Sequence, residues 1–142
     1  MVLVTPEKIA AVMALMPLPH SFAELDQLVS GGLSKNALKS SVERVCYNNE
    51  ERKHLLYRII PEATYKRRRD KLTAEESGRA ERLARIYATA HYVWNADDDA
   101  KAFLHAPHPM LQGQTPLEVS LTELGARRVE ELLWKLYYGL VA

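Results

Sequence analysis

The sequence predicts an all-α protein. Three observations carry that prediction: apolar residues recur at helical spacing along most of the chain, capping signatures open almost every apolar run, and strand-like alternation is nearly absent. Thr5-Pro6 sets a capping side chain before a first-turn proline, opening a helix that Pro17 and Pro19 close. Ser21 with Glu24 forms a capping box for a short helix ended by Gly31-Gly32. Ser34 caps a third helix, Lys35 to about Tyr47, with Leu38, Val42, Val45 and Cys46 at helical spacing, and Asn48-Asn49 breaks it. A fourth helix covers about Glu50 to Tyr57. Pro61, after Ile59-Ile60, continues a helix poorly but starts one well, so it reads as the first residue of a fifth helix to about Arg69.

A boundary is expected at Leu72-Thr73, dividing the chain into modules 1–72 and 73–142. Thr73 with Glu76 is a further capping box, and the helix it opens runs from about Ala74 to Trp94 with Ala80, Leu83, Tyr87, Ala90 and Trp94 on one apolar stripe. Asp97, Asp98 and Asp99 set negative charge at the start of the next helix, where the macrodipole favours it. Phe103 and Leu104 face inward before Pro107-His108-Pro109 stops it. Thr115-Pro116-Leu117-Glu118 is a capped turn. Thr122 caps a last helix whose Leu124, Val129, Leu132, Leu133 and Leu136 form the expected buried face, and Gly139 supplies the left-handed stop.

With 142 residues, 47% of them hydrophobic, the chain can bury a real core. Cys46 is the one cysteine, so no internal disulfide forms; a buried structural thiol in a reducing compartment is the plain reading. No run approaches the roughly 20 apolar residues that span a bilayer, and Met1 to Met16 lacks the pattern of a signal peptide, so the expectation is a cytoplasmic protein with no membrane partner.

Charge is unevenly distributed. The totals nearly cancel, 19 Lys+Arg against 18 Asp+Glu. Yet Arg52, Lys53, Arg58, Lys66, Arg67, Arg68, Arg69 and Lys71 crowd one stretch, while acids outweigh bases after Asn95. That asymmetry is expected of two modules with two different partners. Two short helices joined by a tight turn, the second carrying Thr64-Tyr65-Lys66-Arg67-Arg68-Arg69, have the layout of a helix-turn-helix. Arginine can pair with guanine edges, and Lys and Arg neutralise phosphates. A solvated basic face is the alternative, and the turn at Tyr57-Arg58-Ile59 has no glycine.

At the other end, Gly139 is followed by Leu140-Val141-Ala142, an apolar tail aimed by a strongly patterned helix and suited to filling a partner's pocket. Trp94, Trp134, Tyr137 and Tyr138 read mostly as core by spacing, with Tyr138, beside the tail, the interface anchor. Arg127 and Arg128 lie where the helix dipole disfavours cations; they either pair with Glu123, Glu130 or Glu131 or contact the partner. His105 and His108 lack the further ligands zinc wants, and no Gly-rich loop or nucleophile motif surrounds Ser77 or Cys46. No metal, no cofactor and no enzymatic activity are therefore expected.

Gly32-Leu33-Ser34-Lys35 with Ala37-Leu38, Ile60-Pro61-Glu62-Ala63-Thr64-Tyr65-Lys66-Arg67-Arg68, and Leu72-Thr73-Ala74-Glu75-Glu76-Ser77 leading into Arg82-Leu83-Ala84-Arg85 form one ordered set. Phe103-Leu104, Pro107-His108-Pro109, Leu111, Gly113-Gln114-Thr115-Pro116-Leu117, Thr122-Glu123-Leu124-Gly125-Ala126 with Val129, and Tyr138-Gly139 extend it. In this order and spacing the chain resembles, over essentially its whole length, the Xre-type antitoxins of RES/Xre toxin-antitoxin systems, a group that includes the ParS and MbcA-like antitoxins. The resemblance implies an N-terminal Xre-like helix-turn-helix domain that binds the operon's own promoter DNA, and a C-terminal helical domain that binds a RES-domain toxin consuming NAD. By position it implies Thr64, Tyr65, Lys66, Arg67, Arg68 and Arg69 as DNA-facing residues and Tyr138, Gly139, Leu140, Val141 and Ala142 as toxin-facing ones, the tail occluding the toxin's active site. It also implies a homodimer. The alternative is a helix-turn-helix transcriptional regulator whose C-terminal helices sense a ligand or serve dimerisation.

Overall fold

Capping side chains mark where most of the helices among the described residues begin. In a computed structural model, which describes residues 4–140, the elements are α1 (Pro6–Val12), α2 (Phe22–Ser30), α3 (Lys35–Val45), α4 (Asn49–Ile59), α5 (Glu62–Arg67), α6 (Ala74–Trp94), α7 (Asp97–His105), a 3-10 turn (Pro109–Leu111), α8 (Pro116–Val119) and α9 (Glu123–Tyr137). The side chains of Thr5, Ser21, Asn48, Thr73, Thr115 and Thr122 each accept a bond from an amide three residues on, at 2.9–3.2 Å. These amides have no partner within their own helices. At Thr73 the box is reciprocal, since the Glu76 carboxylate accepts from Thr73 N–H at 2.9 Å. Glu24 and Glu51 reach one residue further back, to the amides of His20 (2.8 Å) and Tyr47 (2.9 Å).

Where the structure departs from expectation, a backbone partner has replaced a side-chain signal. The first helix stops at Val12 rather than running to Pro17, because Ala14 adopts the left-handed conformation (φ 55°). There Ala14 N–H bonds Ala11 O and Leu15 N–H bonds Ala10 O, both at 3.1 Å, a Schellman stop with alanine in the glycine position. Ser34 stands at the start of α3 but its side chain makes no cap bond; Lys35 N–H instead donates to Asp70 O at 2.7 Å. The third helix ends at Val45, Asn48 both closes that gap and caps α4, and α4 continues to Ile59. Pro61 is the cap of α5 rather than its first residue, and α5 ends at Arg67 because Arg68 is extended (φ −65°, ψ 137°).

The chain divides by packing into two units, residues 1–84 and 85–142. The division falls inside α6, beyond the boundary expected at Leu72-Thr73. The first turns of α6 belong with the N-terminal helices: Ser77 Oγ accepts from Leu33 N–H at 2.8 Å, and Arg79 donates to the last α4 carbonyl, Ile59 O, at 3.0 Å, where cations suit the dipole. Among the described residues, extended pairing is limited to one antiparallel bridge between Ser34 and Lys71, and no helix is long and apolar enough to cross a membrane.

In the first unit Ile9, Met13, Leu25, Leu38, Val42, Val45, Cys46, Leu55, Ile60 and Leu72 are buried. In the second, Tyr87, Phe103, Leu104, Leu111, Val119, Ala126, Val129, Leu132 and Leu133 are. Each large aliphatic among them contributes about 1.5–3 kcal/mol by leaving water. The α9 face needs correction. Leu124 is 71% exposed and Leu136 is half-buried, while Gly125 and Ala126 take the inner positions. Five residues at about 100° each set Leu124 roughly 140° away from Val129, on the opposite side of the helix. Trp94, at the end of the α6 stripe, is also exposed, its ring tilted against Phe103 with centroids 6.0 Å apart.

Candidate functional site

The α4–α5 turn needs no glycine because its two residues, Ile60 (φ −131°) and Pro61 (φ −51°), both stay at negative φ, and Ile60 is fully buried as the anchor. Helix α5 has no buried residue, so it is displayed on the surface of its unit. Tyr65 is its main inward contact. The ring meets Tyr57 edge-on at 6.2 Å and lies under the Lys35 ammonium at 4.3 Å; burial, then the neighbouring Tyr57, raises the phenol above its ordinary range. Thr64 is half-buried. Lys66 pairs with Glu62 at 2.6 Å, a bond that holds the ammonium's pKa up and the carboxyl's down.

The four consecutive cations do not point the same way. Arg67 and Arg69 are exposed and form no ion pair among the described residues. Arg68 turns inward, its Nε and Nη2 each donating at 3.0 Å to one oxygen of Glu76, which is only 6% exposed. The arginine's bond lowers the Glu76 carboxyl's pKa, burial opposes this, and the Thr73 amide adds to the lowering. Lys35 Nζ also donates to Arg68 O at 3.1 Å. Sequence reasoning recognised Glu76 only as half of a capping box and Lys35 only as the start of a helix.

At the far end, α9 stops in a second Schellman turn. Gly139 has φ 69°, its N–H bonds Leu136 O at 3.1 Å, and Leu140 N–H bonds Lys135 O at 2.8 Å. Leu140 is thereby fixed in direction and left 71% exposed. Beside it stands an aromatic group: Tyr92 against Trp134 (5.9 Å) and Tyr137 (5.4 Å), and Tyr137 against Tyr138 (5.1 Å). Tyr137 and Tyr138 are exposed, not core, and a hydrogen bond with Tyr92 raises the Tyr137 phenol's pKa. Val141 and Ala142, expected to continue the tail, lie outside the described residues.

Arg127 lies 3.9 Å from Glu123, as helical spacing suggests, whereas Arg128 donates to Gln112 in the loop after the 3-10 turn. Glu130 and Glu131 are bonded elsewhere, to Arg85 at 2.6 Å and Lys135 at 3.1 Å. A notch of about 140 Å³ lined by Met110, Leu111, Leu132, Arg128, Glu131 and Lys135 lies there. His108 acts locally: its Nδ1 accepts from Met110 N–H at 3.1 Å and caps the 3-10 turn.

Thus an exposed basic helix with its following loop occupies the first unit, and an aimed apolar and aromatic helix end occupies the second. Residues 24–85 match the family model of the antitoxin Xre-like helix-turn-helix domain, and residues 89–139 match that of the antitoxin Xre/MbcA/ParS C-terminal toxin-binding domain. The first range ends and the second begins within a few residues of the packing division in α6. Antitoxin Xre of Pseudomonas putida is 33% identical over 135 residues, covering 92% of this chain and 82% of that one. The chain belongs to the Xre-type antitoxins, with a helix-turn-helix domain followed by a toxin-binding domain.

Proposed function

We propose that this antitoxin neutralises a RES-domain toxin that consumes NAD by placing its tail, from Tyr138 onward, in the toxin's active-site pocket, and that its helix-turn-helix domain binds the promoter of its own operon. Leu140 carries the reading. The Schellman turn at Gly139 sets its direction, and it stands uncovered beside Tyr137 and Tyr138 within a chain whose other aliphatic residues mostly find a core. Exposed apolar surface marks an interaction site and tyrosines are favoured anchors at interfaces, so burial of Leu140 with Tyr138 against the partner would supply affinity. The mechanism is occlusion, with no chemistry performed by the antitoxin. Arg127 and Arg128 would contact the toxin outside its pocket.

Co-expression with the product of the adjacent gene tests this. Full-length protein should co-purify with the neighbour and rescue growth, whereas removal of residues 139–142 should restore toxicity with promoter binding intact. Rescue by the truncated protein would refute occlusion. A neighbour that is harmless alone and not retained would instead favour a ligand-sensing regulator. The homodimer is checked by light scattering of the purified chain.

A further inference from the structure

We infer that the α5–α6 loop is a preorganised phosphate clamp, in which Arg69 and Lys71 hold the DNA backbone while Arg68 is a positioning residue that touches no DNA. The inference rests on the DNA-binding reading above and assigns its contacts. Three features place the loop. Its backbone is tied to the start of α3 by Lys35 N–H to Asp70 O (2.7 Å), Leu72 N–H to Leu33 O (2.8 Å) and the Ser34–Lys71 bridge. Arg68 is clasped to buried Glu76, and the Lys35 ammonium holds the Arg68 carbonyl at 3.1 Å. Leu72 is buried, so the segment is anchored at both ends while Arg67, Arg69 and Lys71 stay exposed. Cations on a backbone already ordered lose less entropy on meeting a phosphate than cations on a free loop. An arginine whose donors are bonded to a buried carboxylate would have to leave that carboxylate unpaired to reach DNA, and a buried unpaired charge is costly.

The salt dependence of binding separates the two roles, because each phosphate contact contributes about 0.9 to the slope of log K against log salt. The probe is a duplex from the region upstream of the protein's own gene, titrated with the full chain at several salt concentrations. Arg69→Ala and Lys71→Ala should each make the slope shallower by about 0.9. Arg68→Gln and Glu76→Gln should weaken binding by a similar factor at an unchanged slope, and the double variant should lose no more than either alone. Glu76→Gln is decisive, because it keeps the arginine and its charge while removing the carboxylate that holds it. Tighter binding or a steeper slope in that variant would make Arg68 a phosphate ligand and overturn the assignment, as would unchanged slopes in Arg69→Ala and Lys71→Ala. Failure of the wild-type chain to bind duplex at low salt would overturn the DNA reading itself.

Discussion

Gly125 and Gly78 should respond in opposite directions to the same substitution. Both lie within helices, where replacing glycine by alanine ordinarily stabilises by about 0.5–1 kcal/mol. At Gly78 an added Cβ meets nothing within 4 Å, so that gain should appear in full. At Gly125 the Cβ would lie 1.8 Å from Val119 O, 2.9 Å from Val119 C and 2.8 Å from Thr122 Oγ1. Two of these atoms are backbone, so no rotamer change relieves the overlap, and α8 and α9 must separate by more than an ångström. The Cβ also crowds Thr122 Oγ1, the atom that caps Gly125 N–H, and loss of that cap costs about 1 kcal/mol. With overpacking at the upper end of its usual range of about 1–3 kcal/mol, and the helix-propensity gain set against it, Gly125→Ala should cost about 3 kcal/mol. Urea unfolding followed by tryptophan fluorescence is the assay, since Trp94 and Trp134 both lie in the second unit. The midpoint should fall at unchanged m-value, while Gly78→Ala, followed by circular dichroism, should raise it. A Gly125→Ala protein as stable as wild type would refute the close approach of Val119 to α9.

Glu76 predicts a pH dependence. Its carboxyl titrates below the ordinary value of 4.5, so the stability it contributes is complete above that value and is lost as pH falls through the depressed folded-state pKa. The stability difference between wild type and Glu76→Gln, measured by urea unfolding, should therefore be largest near neutral pH and shrink below about pH 4; a constant difference would contradict the clasp with Arg68. On α9, Leu124→Glu should change stability by less than about 0.5 kcal/mol, whereas Leu133→Ala should cost about 2–5 kcal/mol. Thermal melts of the two variants distinguish a solvent-facing Leu124 from a core one.

The residues legible in the sequence are those whose partners are near in the chain. Five caps read in the sequence, at Thr5, Ser21, Thr73, Thr115 and Thr122, bond amides three residues on, so the chain needs no tertiary fold to specify them; Asn48, read as a helix breaker, caps α4 in the same way. The same locality made Gly139 readable as a stop and made the apolar sides of α3 and of most of α6 readable from their period. Ala14 was not readable, since alanine carries no signal for a left-handed stop. The candidate site divides in the same way. The basic run and the apolar tail stand out in composition, but that Tyr137 and Tyr138 are exposed does not, because helical spacing makes them look like core.

By itself, then, the sequence determined the all-α class, nearly all the helix starts, the segregation of basic and acidic halves and, through its ordered motifs, the antitoxin family. Tertiary structure alone decided which of four adjacent cations are available. Arg68 faces inward because Glu76, held by its cap on the next helix, offers two buried oxygens at the right distance, and neither period nor charge reveals that. It also decided that Arg128 meets Gln112 rather than a glutamate on its own helix. Each of these outcomes depends on where a neighbouring element comes to rest, and that position is set by the packing of a whole unit rather than by any stretch of sequence around the residue.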